Sequence, residues 1–265
     1  MKSKFAQSIL ICALPITLVG LVSSRWLISA TVAQPLPAVS PDLRAKQRPP
    51  APPTTPPPNR TRSGGSLGEE ATCVAGSQAL MALVPVENPV LTTVENPTFL
   101  FYVPFSADQV QYGEFSILVG PAETTRLYQT RFTLPTQPGV VSITLPKSST
   151  YRLKENTSYH WYFKLHCNEV SADPSVAATD SPTTTADLQV DGWVQRVALT
   201  PELQQQIQAA SPTVWYDAAA QVAHRLGAMP SDPTLQQQWR NLLQYIGAEA
   251  LLQEPIVGEV QIMEN

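Results

Sequence analysis

Histidine and cysteine are scarce in this chain, with three of each among 265 residues. That leaves too few ligands at workable spacing for a zinc finger, a C-x-x-C redox centre or an H-E-x-x-H metal site. His160 and His166 share one face of an expected strand, but six residues of strand rise put them roughly 20 Å apart, too far for one ion. His224 stands alone in a helical stretch. Gly-rich phosphate loops and EF-hand loops are missing as well, so no cofactor is expected. Charge is also sparse, at 14% of residues, and it is unevenly placed. Residues 34–68 carry five basic groups (Arg44, Lys46, Arg48, Arg60, Arg62) against Asp42 alone, whereas residues 69–265 carry 9 basic and 20 acidic groups, a net −11. An acidic folded part repels phosphate backbones, which argues against nucleic acid as a partner. The basic tract reads first as a solvated tether, with anionic headgroups or acidic wall polymers as its functional alternative.

What is present begins at the amino end. Lys2 and Lys4 precede an apolar run over 5–22, and Thr31-Val32-Ala33 precedes Gln34. A basic start, an apolar middle and small residues at −3 and −1 form the pattern of a secretory signal over residues 1–33. The alternative is membrane attachment through an uncleaved 5–22, although Gln7, Ser8 and Pro15 weaken a run barely long enough to span. Either way the expected location is exported, in the periplasm or outside the cell. Processing leaves Cys73 and Cys167, an even pair in an exported chain, and this predicts one disulfide.

Residues 34–70 read as a disordered linker. Ten prolines fall between Pro35 and Pro58, and a Gly/Ser run follows from Ser63 to Gly68. Such a tract favours extended chain and holds too little apolar surface to offset ordering entropy. Gly64-Gly65-Ser66-Leu67-Gly68 matches the G-x-S-x-G string of a nucleophile elbow. That chemistry needs a strand before the serine and a helix after it, and this linker supplies neither, so Ser66 is not expected to be catalytic.

From 71 to 198 the pattern is all-β. Seven alternating runs, at 79–84, 97–103, 112–119, 127–134, 140–145, 158–167 and 188–197, are bounded by Pro, Gly or Asn. In the sixth, Tyr159, Trp161, Phe163, Leu165 and Cys167 share one face, and His160, Tyr162, Lys164 and His166 the other. Leu153, Thr157 and Tyr159 have the spacing of a tyrosine corner, in which a hydroxyl near the start of the penultimate strand bonds back to upstream backbone. Trp193 falls on the polar face of the seventh run. It is expected to pack beneath the C-terminal helices unless Gly192 forms a bulge; the functional alternative is an exposed platform for a sugar or peptide. Asp187 and Asp191 share a strand face, but ~13 Å of strand rise exceeds the usual separation of a glycosidase carboxylate pair.

From 199 to 257 the period turns helical. Thr200-Pro201, Ser211-Pro212 and Asp232-Pro233 each pair an N-cap oxygen with proline at the first helical position. Trp215, Ala218, Val222 and Leu226 form one apolar stripe, and Leu235, Trp239, Leu242 and Ile246 another. A short last helix is expected over 248–253. The fold class is therefore mainly β with C-terminal α: a seven-strand antiparallel immunoglobulin- or fibronectin-like β-sandwich followed by an α-helical hairpin packed on it. Tyr159, Trp193, Trp215 and Trp239 are its structural aromatics.

Four segments together carry a family resemblance: Pro97-Thr98-Phe99-Leu100-Phe101-Tyr102-Val103-Pro104, Tyr159-His160-Trp161-Tyr162-Phe163 with Cys167, Gly192-Trp193-Val194-Gln195-Arg196, and Val214-Trp215-Tyr216-Asp217-Ala218. The chain over roughly 70–257 resembles an exported cyanobacterial family catalogued as domain of unknown function number 928. It departs from that family in a polar insert over 171–185. The resemblance implies one folding unit and an envelope location, and it brings no activity, cofactor or catalytic residue. The function expected from the residues is a non-enzymatic envelope protein that binds a protein or polysaccharide partner. The alternatives are a hydrolase of wall polymer or extracellular polysaccharide, and an accessory of a sensory or secretion system.

Overall fold

The computed structural model describes Pro56, residues 58–63, Cys73, and residues 79–168 and 188–263. The apolar run 5–22, Ser66, the insert 171–185 and Asp187 lie outside the described residues. Among the described residues, no helix is long and apolar enough to cross a membrane.

The described chain forms the strands β1 (Met81–Ala82), β2 (Leu91–Thr92), β3 (Thr98–Val103), β4 (Val110–Val119), β5 (Thr125–Thr133), β6 (Gly139–Thr144), β7 (Ser158–Cys167), β8 (Leu188–Arg196), β9 (Ile256–Glu259) and β10 (Gln261–Ile262). They make a four-stranded sheet of order β1-β3-β6-β9 and a six-stranded sheet of order β10-β5-β4-β7-β8-β2. The chain is thus mainly β, with two mixed sheets and C-terminal helices. The expected seven antiparallel strands need correction, because β2 pairs with β8 and β9 pairs with β6 in parallel. The strands the alternation missed, β2, β9 and β10, are two to four residues long. A period-two pattern cannot declare itself over so short a run.

The inner faces meet through aromatics. Phe101 of the smaller sheet stacks on Phe163 of the larger at 4.0 Å, and Phe99 lies 5.1 Å from Phe115 and 5.9 Å from Trp161. Each such ring removes a large apolar area from water, worth roughly 1.5–3 kcal/mol. Cys73 and Cys167 are joined in a disulfide that ties the amino-terminal side of the unit to the end of β7. The Lys154 amide donates to the Tyr159 hydroxyl at 2.8 Å, so the buried tyrosine fixes the turn leading into β7.

Segments at both ends of the described unit lace the two sheets together. Residues 59–63, assigned by sequence to the linker, are part of the fold. Arg60 bridges to Asp191 of β8 and Arg62 bridges to Met81 of β1. Asn59 is buried, donates from Nδ2 to the Pro85 carbonyl at 2.7 Å, and accepts from the Trp193 amide at 2.8 Å. A proline-rich composition hid this segment, because its pairing is supplied by residues 19 to 131 positions further along the chain. At the opposite edge, β9 joins the smaller sheet and β10 the larger.

Three helices follow: α1 (Pro201–Gln208), α2 (Trp215–Ala228) and α3 (Pro233–Tyr245). Thr200 accepts from the Leu203 amide, and Asp232 accepts from the Thr234 and Leu235 amides, so each caps its helix. Ser211 accepts from the Thr213 amide and starts a 3₁₀ turn, Pro212–Val214, ahead of α2. The expected helix over 248–253 is only a 3₁₀ turn, Glu249–Leu251. Trp215 and Trp239 are buried, and the Trp215 indole donates to the Leu83 carbonyl at 2.8 Å.

Candidate functional site

A cleft of about 1030 Å³ opens where α1 and α2 face the chain after β2 and the loop between β6 and β7. α1 is unusual in burying none of its residues. It cannot be held by a core stripe and serves as a wall. Leu199 and Val94 expose apolar surface in this cleft.

The charges of the cleft are asymmetrically used. Asp217, in the first turn of α2, accepts from the Thr93 amide at 3.0 Å and from the Thr93 hydroxyl at 2.6 Å. An acid there also complements the positive end of the helix. Glu95 pairs with Arg196 at 3.2 Å. Both lining acids are therefore occupied, whereas Lys147 and Arg152 face the cleft without a carboxylate partner among the described residues. The side-chain amides of Gln204, Gln208 and Gln221, which line the same space, are likewise not engaged by other described residues. The arrangement offers cations and amide groups to a ligand, while its own carboxylates already hold partners, Glu95 a guanidinium and Asp217 the Thr93 amide and hydroxyl.

A second polar cluster lies on the outer face of the six-stranded sheet. His160 Nδ1 faces a carboxylate oxygen of Glu123, and Nε2 lies 3.1 Å from Asp191 Oδ2. Each ring nitrogen thus has a carboxylate of its own, and the two acids come from different elements. The Tyr162 hydroxyl donates to the other Glu123 oxygen at 2.9 Å, and Gln189 donates to Asp191 at 3.3 Å. Glu123 sits in the β4–β5 turn at φ +50°, a left-handed conformation uncommon for a side chain of this kind, and its two contacts with β7 hold it there. Burial foremost, helped by the Glu123 hydrogen bond, pushes the Tyr162 hydroxyl well up, so it stays a donor. Burial works against ionisation of Asp191, but hydrogen bonds from His160 and Gln189 and the charges of His160 and Arg60 outweigh it. They hold its carboxyl below the usual range.

A carboxyl held below its unfolded value, about 3.9, stabilises the fold above that pH and loses the contribution as pH falls through the lowered folded value. Asp191→Asn is therefore expected to flatten the acid limb of the unfolding-temperature profile below about pH 4. Profiles of the two proteins that run parallel down to pH 2.5 would remove Asp191 from this role.

Trp193 lies on the polar face of β8, as its phase requires, and it is buried. Its ring is stacked face to face on His160 at 4.2 Å, while the helices pack over β2, β3 and β9. The helical cover expected for the ring is thus replaced by a cross-strand histidine. The helices meet Trp193 at its backbone, where the Tyr216 hydroxyl donates to its carbonyl at 3.0 Å. Gly192 makes no bulge, since β7 and β8 stay in register through it. Its role is clearance: a Cβ there would lie 2.5 Å from the Trp161 ring and 3.0 Å from Asn59. His166 is stacked on Tyr112 at 4.3 Å, 3.6 Å from Glu114. His224 is exposed on α2. Among the described residues no His, Cys, Asp and Glu side chains group as metal ligands.

Sequence reasoning passed over Glu123, Lys147, Arg152 and Asp217. Three of them sit in turns or loops, and Asp217 carries only the faint signal of an acid in a first helical turn. A family described as Domain of Unknown Function (DUF928) matches residues 60–256. No curated protein matches the chain, and no solved structure does.

Proposed function

Because this chain belongs to the DUF928 family, whose description names no activity, its function must be read from the site, and we propose that it is an exported, non-catalytic envelope protein that binds a protein or polysaccharide partner in the cleft beside α1. One observation carries the reading: the cleft acids are already paired while its cations and glutamine amides are not. The Cys73–Cys167 disulfide suits an oxidising compartment, in line with a signal over residues 1–33 and a periplasmic or extracellular location. The proline-rich composition ahead of residue 59 supports reading that stretch as a linker.

A hydrolase is the second reading, favoured by Glu123 and Asp191, two acids brought from separate elements to one place. Against it, the imidazole of His160 fills the gap between them, where an inverting or retaining pair needs a sugar carbon and a water.

The test is co-sedimentation of the full chain with insoluble envelope material. Gln208→Trp adds bulk to the exposed wall of α1 and fills the cleft with little risk to folding. Wild type is expected in the pellet, and Gln208→Trp at least fivefold less, at unchanged unfolding temperature. Equal sedimentation of both proteins, or none of either, would overturn cleft binding. Recovery of the protein from a cytosolic fraction with an intact amino end would overturn export.

A further inference from the structure

We infer that the cleft takes a polysaccharide bearing carboxylate groups, of the polyuronate class, with Lys147 and Arg152 receiving the carboxylates. This rests on the cleft reading and adds the chemistry of the ligand. The first support is where charge is placed. Residues 69–265 carry a net −11, yet Lys147 and Arg152 line one cleft together, and neither has a carboxylate at ion-pair distance among the described residues. The acids around the loop of Lys147 and Arg152 are engaged elsewhere: Glu95 and Glu155 both go to Arg196, and Asp217, which keeps its charge, is held by the Thr93 amide and hydroxyl on the α2 side of the cleft. A salt-linked loop would have used one of them.

The range of the forces decides whether an acidic protein can hold an acidic polymer. Repulsion from the dispersed surface acids is screened beyond a Debye length of about 8 Å at physiological ionic strength, whereas a carboxylate seated against Lys147 or Arg152 interacts at contact. The guanidinium of Arg152 adds a planar fork suited to a carboxylate.

The second support is the rest of the lining. Gln204, Gln208 and Gln221 each offer one amide donor pair and one acceptor, and Ser149 adds a hydroxyl. Groups that both donate and accept match sugar hydroxyls, which do the same. An acidic peptide would want an open strand edge or a deep apolar pocket for its side chains. The apolar part of this lining is confined to side chains such as Val94, Leu199 and Ile207, a strip that suits the apolar face of a sugar ring.

The experiment is calorimetric titration of the full chain with polygalacturonate, with neutral dextran and with polyglutamate, repeated on Lys147→Glu/Arg152→Glu. Both side chains are exposed, so the variant should fold, and its unfolding temperature verifies this. Polygalacturonate is expected to bind wild type, to weaken at least tenfold in the double variant, and to weaken as salt rises. Dextran binding that depends on Gln208 but ignores the charge reversal would overturn the acidic class and leave the cleft reading standing. Tighter binding of polyglutamate than polygalacturonate would assign the site to acidic peptides instead. Binding of no polymer, or binding indifferent to both the charge reversal and Gln208→Trp, would overturn the proposal and the cleft reading together.

Discussion

Replacing Cys73 and Cys167 together by alanine is expected to lower stability by about 4–5 kcal/mol, the chain-entropy value for a loop of this size. The two cysteines are 94 residues apart in sequence, so the bond closes a loop over nearly half the described unit. For a domain of roughly 200 residues, each kcal/mol moves the unfolding temperature by about 2–4 °C, which gives a drop on the order of 10–15 °C. Each single variant should match the double one, since either removes the whole cross-link, and strong reductant should bring wild type to the same temperature. Wild type and all three variants melting within about 2 °C of one another, reduced or not, would show that packing alone sets the stability.

Tyr216→Phe is the second large effect. The hydroxyl of this fully buried residue accepts from the Trp161 indole at 2.7 Å and donates to the Trp193 carbonyl at 3.0 Å. Burial pushes its pKa far up, so it remains a neutral donor at any pH where the protein is folded. Its ring also lies 5.1 Å from Phe99, so one side chain of α2 joins the central β7, the β8 backbone and the smaller sheet. Loss of the oxygen leaves a buried indole N–H and a buried carbonyl without partners, a cost of about 2–4 kcal/mol where neither finds water. Trp161→Phe removes the same donor, so the double variant should lose less than the sum of the singles. Urea unfolding of the four proteins measures this. A Tyr216→Phe protein within 0.5 kcal/mol of wild type, the usual spread of a harmless surface change, would mean the helices are docked by apolar contact alone.

The long strands were legible because each buries one face against an aromatic core, which imposes a period of two over six to ten residues. β7 and β8 could be bounded to within a residue at each end for that reason. The helix starts were legible because caps are local chemistry: Thr200, Ser211 and Asp232 act on amides two or three residues ahead. The disulfide was legible from compartment and parity. The lacing of residues 59–63 was hidden, because the residues that pair with them lie 19 to 131 positions further on. The partner of Trp193 was hidden for a related reason, since a strand shows which face a side chain takes and not which neighbour stands beside it. The cleft was the least legible of all. Lys147 and Arg152 lie in a loop with no period, and their meaning depends on Glu95 and Glu155 having gone to Arg196 across the fold.

The strap formed by residues 59–63 also bears on how copies of this chain can associate. It occupies the Asp191 and Trp193 amides of β8, which point away from β7. Those two donors are the ones an extended segment of another copy would need in order to add itself at this edge, so residues 59–63 blunt the edge against pairing between copies.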